Sequence, residues 1–266
     1  MIPKIIHYCW FGKKPLPELV IKCLDSWRTH CPDFQIIRWD ETNIDLSSCK
    51  FAKQAYDAEK WAFVSDYVRL KVIYDNGGIY LDTDVELIKP LTDMLIYPAY
   101  FGLESNKDGW LINSGLGFGA VKGHSYIFTL LHEYENTEFM KDDGSYNLTP
   151  CPIRETNVLI RNGYKPDDQS QMFNNIMIFS SDYFSPISMT GQRNFTKNTH
   201  SIHHYNASWF TEIKRVGLKR KRLLIRLFGE FIGVWINKPF ILIDELRERG
   251  GREIILRMIN LVTNKN

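Results

Sequence analysis

The chain has 266 residues, with 33 Lys plus Arg against 31 Asp plus Glu and a net charge of +2. So balanced a charge gives no global reason to expect nucleic-acid binding. With 44% apolar and 14% aromatic residues, the chain can bury a sizeable core, which excludes disorder as its main state and any need for disulfides. Cys9, Cys23, Cys31, Cys49 and Cys151 form no CxxC pair. That pattern argues against a zinc ribbon or a secreted disulfide scaffold, and for reduced thiols in a cytosolic protein. The opening Met1 to Tyr8 lacks the parts of a signal peptide, and no run approaches the roughly 18 apolar residues of a spanning helix. The longest candidate, Leu223 to Ile236, is interrupted by Arg226 and Glu230. A cytoplasmic location is the expectation.

In chain order, Ile5 to Trp10 reads as a buried strand. Pro17 to His30 carries Leu19, Val20, Cys23, Leu24 and Trp27 at helical spacing, and Pro32 stops it. Phe34 to Trp39 reads as a second strand. This β-α-β opening predicts a parallel sheet and an α/β fold. A helix is expected from about Glu59 to Asp75, stopped by Gly77-Gly78, followed by a short strand Ile79-Tyr80-Leu81 that ends in Asp82-Thr83-Asp84. Leu111 to Val121 reads as one strand, Tyr126 to Phe139 as a helix, and Ile176 to Phe179 as a late strand, with a loop holding His200, His203 and His204 after it.

The tail changes character at Lys214. Seven basic residues and no acid lie between Lys214 and Arg226, and Leu223, Leu224, Leu227, Phe228, Phe231, Ile232 and Trp235 follow at helical spacing. Two readings stay open: a terminal helix with a solvated basic face, or an amphipathic segment that lies in a membrane interface through residues 214–236. The expected division is a catalytic domain over 1–213 and a basic amphipathic helical tail over 214–266.

Asp82-Thr83-Asp84 is the strongest chemical signal. Two carboxylates two residues apart leave the same side of an extended segment. At a strand end, where α/β sheets place ligands, they are suited to Mg²⁺ or Mn²⁺, with phosphate oxygens completing the shell. Asp66 and Arg69 are three residues apart on the preceding helix and so share a face. They are either a structural ion pair or a fork for sugar hydroxyls and phosphate.

IPKIIHYCWFG, SDYVR and NGGIYLDTDVE, in that order, resemble the DXD sugar transferases of glycosyltransferase family 32. That family includes relatives of bacterial capsular-polysaccharide transferases, a fungal initiating mannosyltransferase and large glucosylating toxins. The resemblance runs from Ile2 to about His124 and resumes at His203 to Trp209. It implies a GT-A fold, a UDP- or GDP-hexose donor, a divalent cation (usually Mn²⁺) and transfer with retention. By motif position it implies that Trp10 stacks on the donor base, that Ser65 contacts ribose and that Asp66 and Arg69 contact the donor sugar. Tyr80 is implied as a wall of the nucleotide site. Asp82 is shared between ribose and the metal, and Asp84 is the direct ligand. The Ser201-to-Trp209 loop is implied to close over the donor and to supply a late metal ligand, His204, His203 or Ser208, with Ser208 and Trp209 as candidates for contact with metal and diphosphate. Glu104 and Asn113 are candidates for acceptor-side or sugar contacts, with a surface acid on a loop as the alternative for Glu104.

The expectation is a retaining, metal-dependent hexosyltransferase that acts on a saccharide acceptor, with an acceptor built on a lipid carrier for a bacterial capsule as the expected setting. An aspartate-nucleophile phosphatase shares the short D-x-D pattern, but it needs that motif on its first strand and a later Lys and acidic pair. A non-catalytic sugar-nucleotide-binding protein is the remaining alternative, and the intact Asp66, Arg69, Asp82 and Asp84 argue against it.

Overall fold

The computed structural model describes residues 1–106, 109–206 and 211–249. The chain forms two compact units. One comprises residues 1–187 and 194–205, and the other 188–193 and 206–266. The first unit therefore ends some residues earlier than the compositional change at Lys214 suggests, and a short loop at 188–193 belongs with the tail.

The first unit opens with β1 (Ile5–Cys9), α1 (Glu18–His30) and β2 (Gln35–Trp39), then α2 (Lys50–Asp57), α3 (Trp61–Asn76), β3 (Gly78–Tyr80) and β4 (Val85–Leu87). It continues with β5 (Ala99–Asn106), β6 (Gly109–Asn113), β7 (Phe118–Ala120), α4 (Ser125–Glu135), α5 (Cys151–Arg161), β8 (Gln171–Phe173), β9 (Ile176–Phe179), α6 (Ser181–Phe184) and β10 (Ser201–His203). One sheet runs β2-β1-β3-β7-β5-β9-β8, with β6 also paired to β5. Strands β1, β2 and β3 are parallel, with Ile6 opposite both Ile36 and Ile79. The β-α-β opening thus forms as expected, because its two faces are covered by separate apolar clusters. Phe63, Val68 and Phe118 lie in one cluster, and Val20, Trp27 and Ile79 in the other. The result is a mixed α/β sheet covered on both faces, the architecture expected from the GT-A resemblance, followed by a helical C-terminal segment.

The expected strand over Leu111 to Val121 is in fact two strands. Residues Ser114–Leu116 make one turn of 3₁₀ helix, and Gly117 follows at φ 115°. The turn redirects the chain from the outer strand β6 to β7 beside β3, which an uninterrupted strand could not do. The loop expected around the late histidines also differs. Ser201–His203 is a strand paired antiparallel to β4, with His203 opposite Val85. Its hydrophobic signal is too short to read locally.

Helix α3 buries residues on most of its circumference, including Phe63, Val64, Tyr67, Leu70 and Ile73. Asp66 and Arg69 are buried with them. The helix ends at Gly77, and Gly78 starts β3 at φ 110°. A Cβ on Gly78 would lie 2.8 Å from the Ile5 carbonyl oxygen and 2.9 Å from His7 Nε2, so both the backbone and the close strand approach require glycine here. Helix, turn and strand together deliver Asp82 and Asp84 to the carboxyl end of β3, where the parallel strands meet the antiparallel ones.

His7 locks this junction. The Trp39 indole donates to His7 Nδ1 at 3.0 Å, and Nε2 lies 3.0 Å from the Gly77 carbonyl oxygen, to which it donates. Burial pushes the His7 pKa down to about 4, against a smaller upward pull from the Gly77 carbonyl. The ring is neutral in the fold but titrates near its ordinary value when unfolded. Stability therefore falls as pH drops from about 6.5 to 4 and is unaffected by this group above that window, by about 3 kcal/mol in all. Other buried groups titrate nearby, so the signature is a difference. The stability gap between the wild type and His7→Gln, from urea melts, should shrink as pH falls through this window.

Candidate active site

The site gathers at the carboxyl ends of β1 and β3. Arg69 reaches out of α3 with a side chain only 4% exposed. Its Nη2 lies 3.0 Å from Asp82 Oδ1 and 3.2 Å from Asp66 Oδ1. Its Nη1 donates to Ser114 Oγ at 3.1 Å and contacts Cys151 Sγ at 3.4 Å. The guanidinium also lies over the Tyr80 ring, 5.1 Å from its centroid, and the Tyr80 hydroxyl donates to Asp82 Oδ1 at 3.0 Å. Burial opposes the charge on Arg69, but Asp82, Tyr80 and Asp66 hold its pKa well above the ordinary value. Burial raises the pKa of Asp82 and Asp66, with Arg69 pulling both back.

Asp84 lies beyond this ion pair, with Oδ1 3.2 Å from His203 Nε2. Asp82, Asp84 and His203 each turn one ligand atom into a common space, all within 4.8 Å of one another. His203 Nδ1 is buried with no hydrogen-bond partner among the described residues. Two carboxylate oxygens and one imidazole nitrogen fit Mn²⁺ well and Mg²⁺ less well, since imidazole favours the softer ion. Of the two candidate histidines, the structure turns His204 away: its Nε2 lies 2.8 Å from Glu86 Oε2, which also accepts from Lys22. The reason is the alternation of β10 and the residue after it against β4, which sends neighbouring side chains to opposite sides. His203, rather than His204, stands beside Asp84.

The turn after β6 closes the other side. Asn113 Oδ1 accepts from the Gly115 amide at 2.7 Å, and Asn113 Nδ2 donates to Glu104 Oε2 at 2.8 Å. The Tyr205 hydroxyl donates to the same oxygen at 3.1 Å, and the Tyr205 ring packs 4.1 Å from that of His203. Glu104 is thus a residue of β5 with a carboxylate pushed up by burial, and the reading of a surface acid on a loop fails. A Cβ on Gly115 would lie 2.7 Å from Asp82 Oδ2, so this backbone is pressed against the D-x-D.

Trp10 and Ser65 stand on the adjoining segments, just after β1 and on α3. Trp10 follows β1, half-buried, and its Nε1 donates to the Lys14 carbonyl at 2.7 Å. Ser65 Oγ donates back along α3 to the Trp61 carbonyl at 3.0 Å. Ser208 and Trp209 lie outside the described residues.

The sequence reading missed α5. Glu155 is fully buried there, accepting from the Ser114 amide at 2.9 Å and from Ser114 Oγ at 2.5 Å. Its pKa is pushed up to about 7 by burial, with Ser114 and Arg69 pulling down. No local spacing links Glu155 to the D-x-D. The only signal available was an acid on the apolar side of an amphipathic helix.

The family described as "glycosyltransferase sugar-binding region containing DXD motif" matches residues 17–101. Inositol phosphoceramide mannosyltransferase 3 of Schizosaccharomyces pombe is 27% identical over 146 residues, which is 52% of this chain and 38% of that protein. An uncharacterized glycosyltransferase, L373, of Acanthamoeba polyphaga mimivirus is 25% identical over 80% of this chain and 86% of its own length. The chain thus spans well under half of the fission-yeast relative. Among solved structures, the PaToxG glycosyltransferase is 18% identical at TM-score 0.45, covering 61% of this chain and 70% of that one. The galactosyltransferase LgtC, solved with donor and acceptor sugar analogs, is 13% identical at TM-score 0.42, covering 81% and 93%.

Glu155→Gln keeps an acceptor for Ser114 but removes the titration. A carboxyl with a raised folded pKa stabilises fully below its unfolded value, near 4.5, and loses that contribution as pH rises through about 7. Relative to Glu155→Gln, the wild type should therefore lose stability across this window, as measured by thermal melts. The D-x-D at a strand end and its partners Asp66 and Arg69 on α3 all lie within residues 17–101, the stretch that is similar to the DXD sugar-binding region.

Proposed function

We propose that the chain transfers a hexose from a nucleotide-sugar donor to a saccharide acceptor, with retention at the anomeric carbon and with a divalent cation. The observation that carries this reading is the convergence of Asp82, Asp84 and His203 atoms within 4.8 Å, beside the buried Arg69. Asp84 and His203, with Asp82, would hold the cation. When bound it supplies positive charge for a leaving diphosphate.

The chain's own groups do the rest. Breaking a glycosyl–phosphate bond leaves negative charge on the nucleoside diphosphate. Arg69 is fixed in advance by Asp66, Asp82 and Ser114, so it needs little reorganisation to favour that charge. The Trp10 ring offers an apolar face to a nucleobase, with Ser65 and Tyr80 on the ribose side. Glu104 and Asn113, tied together across β5 and β6, are assigned to sugar or acceptor hydroxyls. Ser208 and Trp209 are assigned to the diphosphate by the motif alone.

Surface-polysaccharide building, in a bacterial capsule and on a lipid-linked acceptor at the inner face of the cell membrane, is the context proposed. The mannosyltransferase name of the fission-yeast relative supports a hexose donor, and GDP-mannose stands beside UDP-hexoses as the donor to test. The five buried free cysteines support a reducing, cytoplasmic setting.

Asp84→Asn keeps the shape of the side chain and removes an anionic ligand atom. It should reduce donor turnover roughly 100-fold or more while leaving circular dichroism unchanged. A screen of nucleotide sugars by thermal shift, with and without Mn²⁺, names the donor. The wild type should show a Mn²⁺-dependent shift with one of them, and Asp84→Asn should not. Full turnover by Asp84→Asn would overturn the assignment.

Gly115→Ala provides a separate check. Its methyl would press on Asp82 Oδ2 and Asn113 Oδ1. Donor binding should weaken in titration calorimetry, with the far-ultraviolet spectrum retained.

A further inference from the structure

The second unit is built on a different physical logic. Helix α7 (Glu212–Arg249) reverses at Gly229, which has φ 77°, so residues 212–228 and 230–249 form two arms of a helical hairpin. Close packing holds the arms together. A Cβ on Gly233 would lie 2.6 Å from the Ile225 amide nitrogen. Further along, Arg220 bonds Asn237 Oδ1 at 3.1 Å and Asp244 at 2.5 Å and lies 4.7 Å from the Phe240 ring centroid, while Lys214 pairs with Glu248 at 3.4 Å. Ile225 and Asn237 are buried between the arms.

The turn end of the hairpin does the reverse of burying. Leu223, Leu227, Phe228 and Ile232 are exposed, Trp235 is 67% exposed and Phe231 is 88% exposed. Exposed apolar side chains continue along the second arm at Phe240, Ile241, Leu242 and Ile243, but the two most exposed, Phe231 and Trp235, lie at the turn, and apolar surface of this extent marks an interaction site. Its charge surroundings state the chemistry of the partner. Residues 214–226 hold seven cations and no acid. Lys219 and Arg226 are exposed and form no ion pair among the described residues, and exposed Lys238 follows on the second arm. Large aromatic and aliphatic groups flanked by unpaired cations match a surface that is apolar beneath and anionic above, which is the interface of an anionic bilayer. No helix among the described residues is long and apolar enough to cross a membrane, so the match is to a segment lying in the interface.

We propose that the turn of this hairpin, residues 223–238, docks on an anionic lipid surface. Phe231 and Trp235 enter the headgroup–acyl boundary, and Lys219, Arg226 and Lys238 meet the phosphates. This turns the two-sided reading of the tail into a specific face. It does not depend on the sugar chemistry of the first unit.

The test is flotation of the full chain with vesicles of phosphatidylcholine alone and of phosphatidylcholine mixed with phosphatidylglycerol. The wild type should float with the anionic vesicles only. Salt approaching 1 M, which shortens screening to about 3 Å, should release it. The double variant Phe231→Ala, Trp235→Ala removes exposed groups only and should keep its melting temperature. Its bound fraction should drop at least about tenfold, and donor hydrolysis in solution should be unchanged. Loss of hydrolysis in the wild type with flotation intact would tell against the transferase reading alone. Equal flotation with neutral vesicles, undiminished flotation of the double variant, or no flotation at all would overturn the lipid assignment. So would a salt-resistant dimer in sedimentation that the double variant abolishes, which would give the surface to a second copy of the chain.

Discussion

A cation buried inside an α/β domain must be surrounded by acceptors that water no longer supplies. Arg69 imposes that constraint here. Its guanidinium sits between Asp66 on its own helix, Asp82 beyond β3, Ser114 in the turn after β6 and Cys151 at the start of α5. Removing one partner of so buried a pair would leave an uncompensated charge, at a cost of about 3–5 kcal/mol. The arrangement therefore fixes four segments of the chain against one another, and it does so at the place where the D-x-D emerges.

The turn at 113–115 is the second consequence. Ser114 links Arg69 to Glu155, Asn113 links the turn to Glu104, and the bare Cα of Gly115 lets its backbone approach Asp82. The charges at the site form a graded series. Arg69 stays cationic, Asp82 is shared between it and the Asp84–His203 side, and Glu104 is kept apart behind Asn113 and Tyr205. This separation leaves Arg69 held between Asp66 and Asp82, with a distinct acidic group, Glu104, at the far edge. Both groups are fixed in place, because each is tied by at least two partners.

The hairpin of the second unit is stabilised by little: one tight helix crossing at Gly233, a few ion pairs along its arms and a small buried interior. It leaves its largest side chains outside. A sequence selected only for a packed domain would place Phe231 and Trp235 inward. Their exposure near Lys219 and Arg226, which form no ion pair among the described residues, is the part of this molecule that the first unit does not account for.

Much of this was legible in the sequence where local pattern and chemistry coincide. The β-α-β opening followed from apolar periodicity, and the end of α3 from Gly77-Gly78. The pairing of Asp66 with Arg69 followed from their spacing on one helical face. The D-x-D at a strand end followed from alternation and, with the motifs on either side of it, carries the resemblance to sugar transferases. Other features were not legible, because they depend on contacts between residues far apart in the chain. The break at Ser114–Leu116 is dictated by which strand β7 must join. The choice of His203 over His204 is set by the register of β10 on β4, since a one-residue step exchanges the two sides of a strand. The role of Glu155 exists only because α5 packs under that turn. Local sequence determined which groups were available and on which elements. Tertiary structure decided which of them share a space, because burial and strand register act on neighbours in space and leave no periodic trace along the chain.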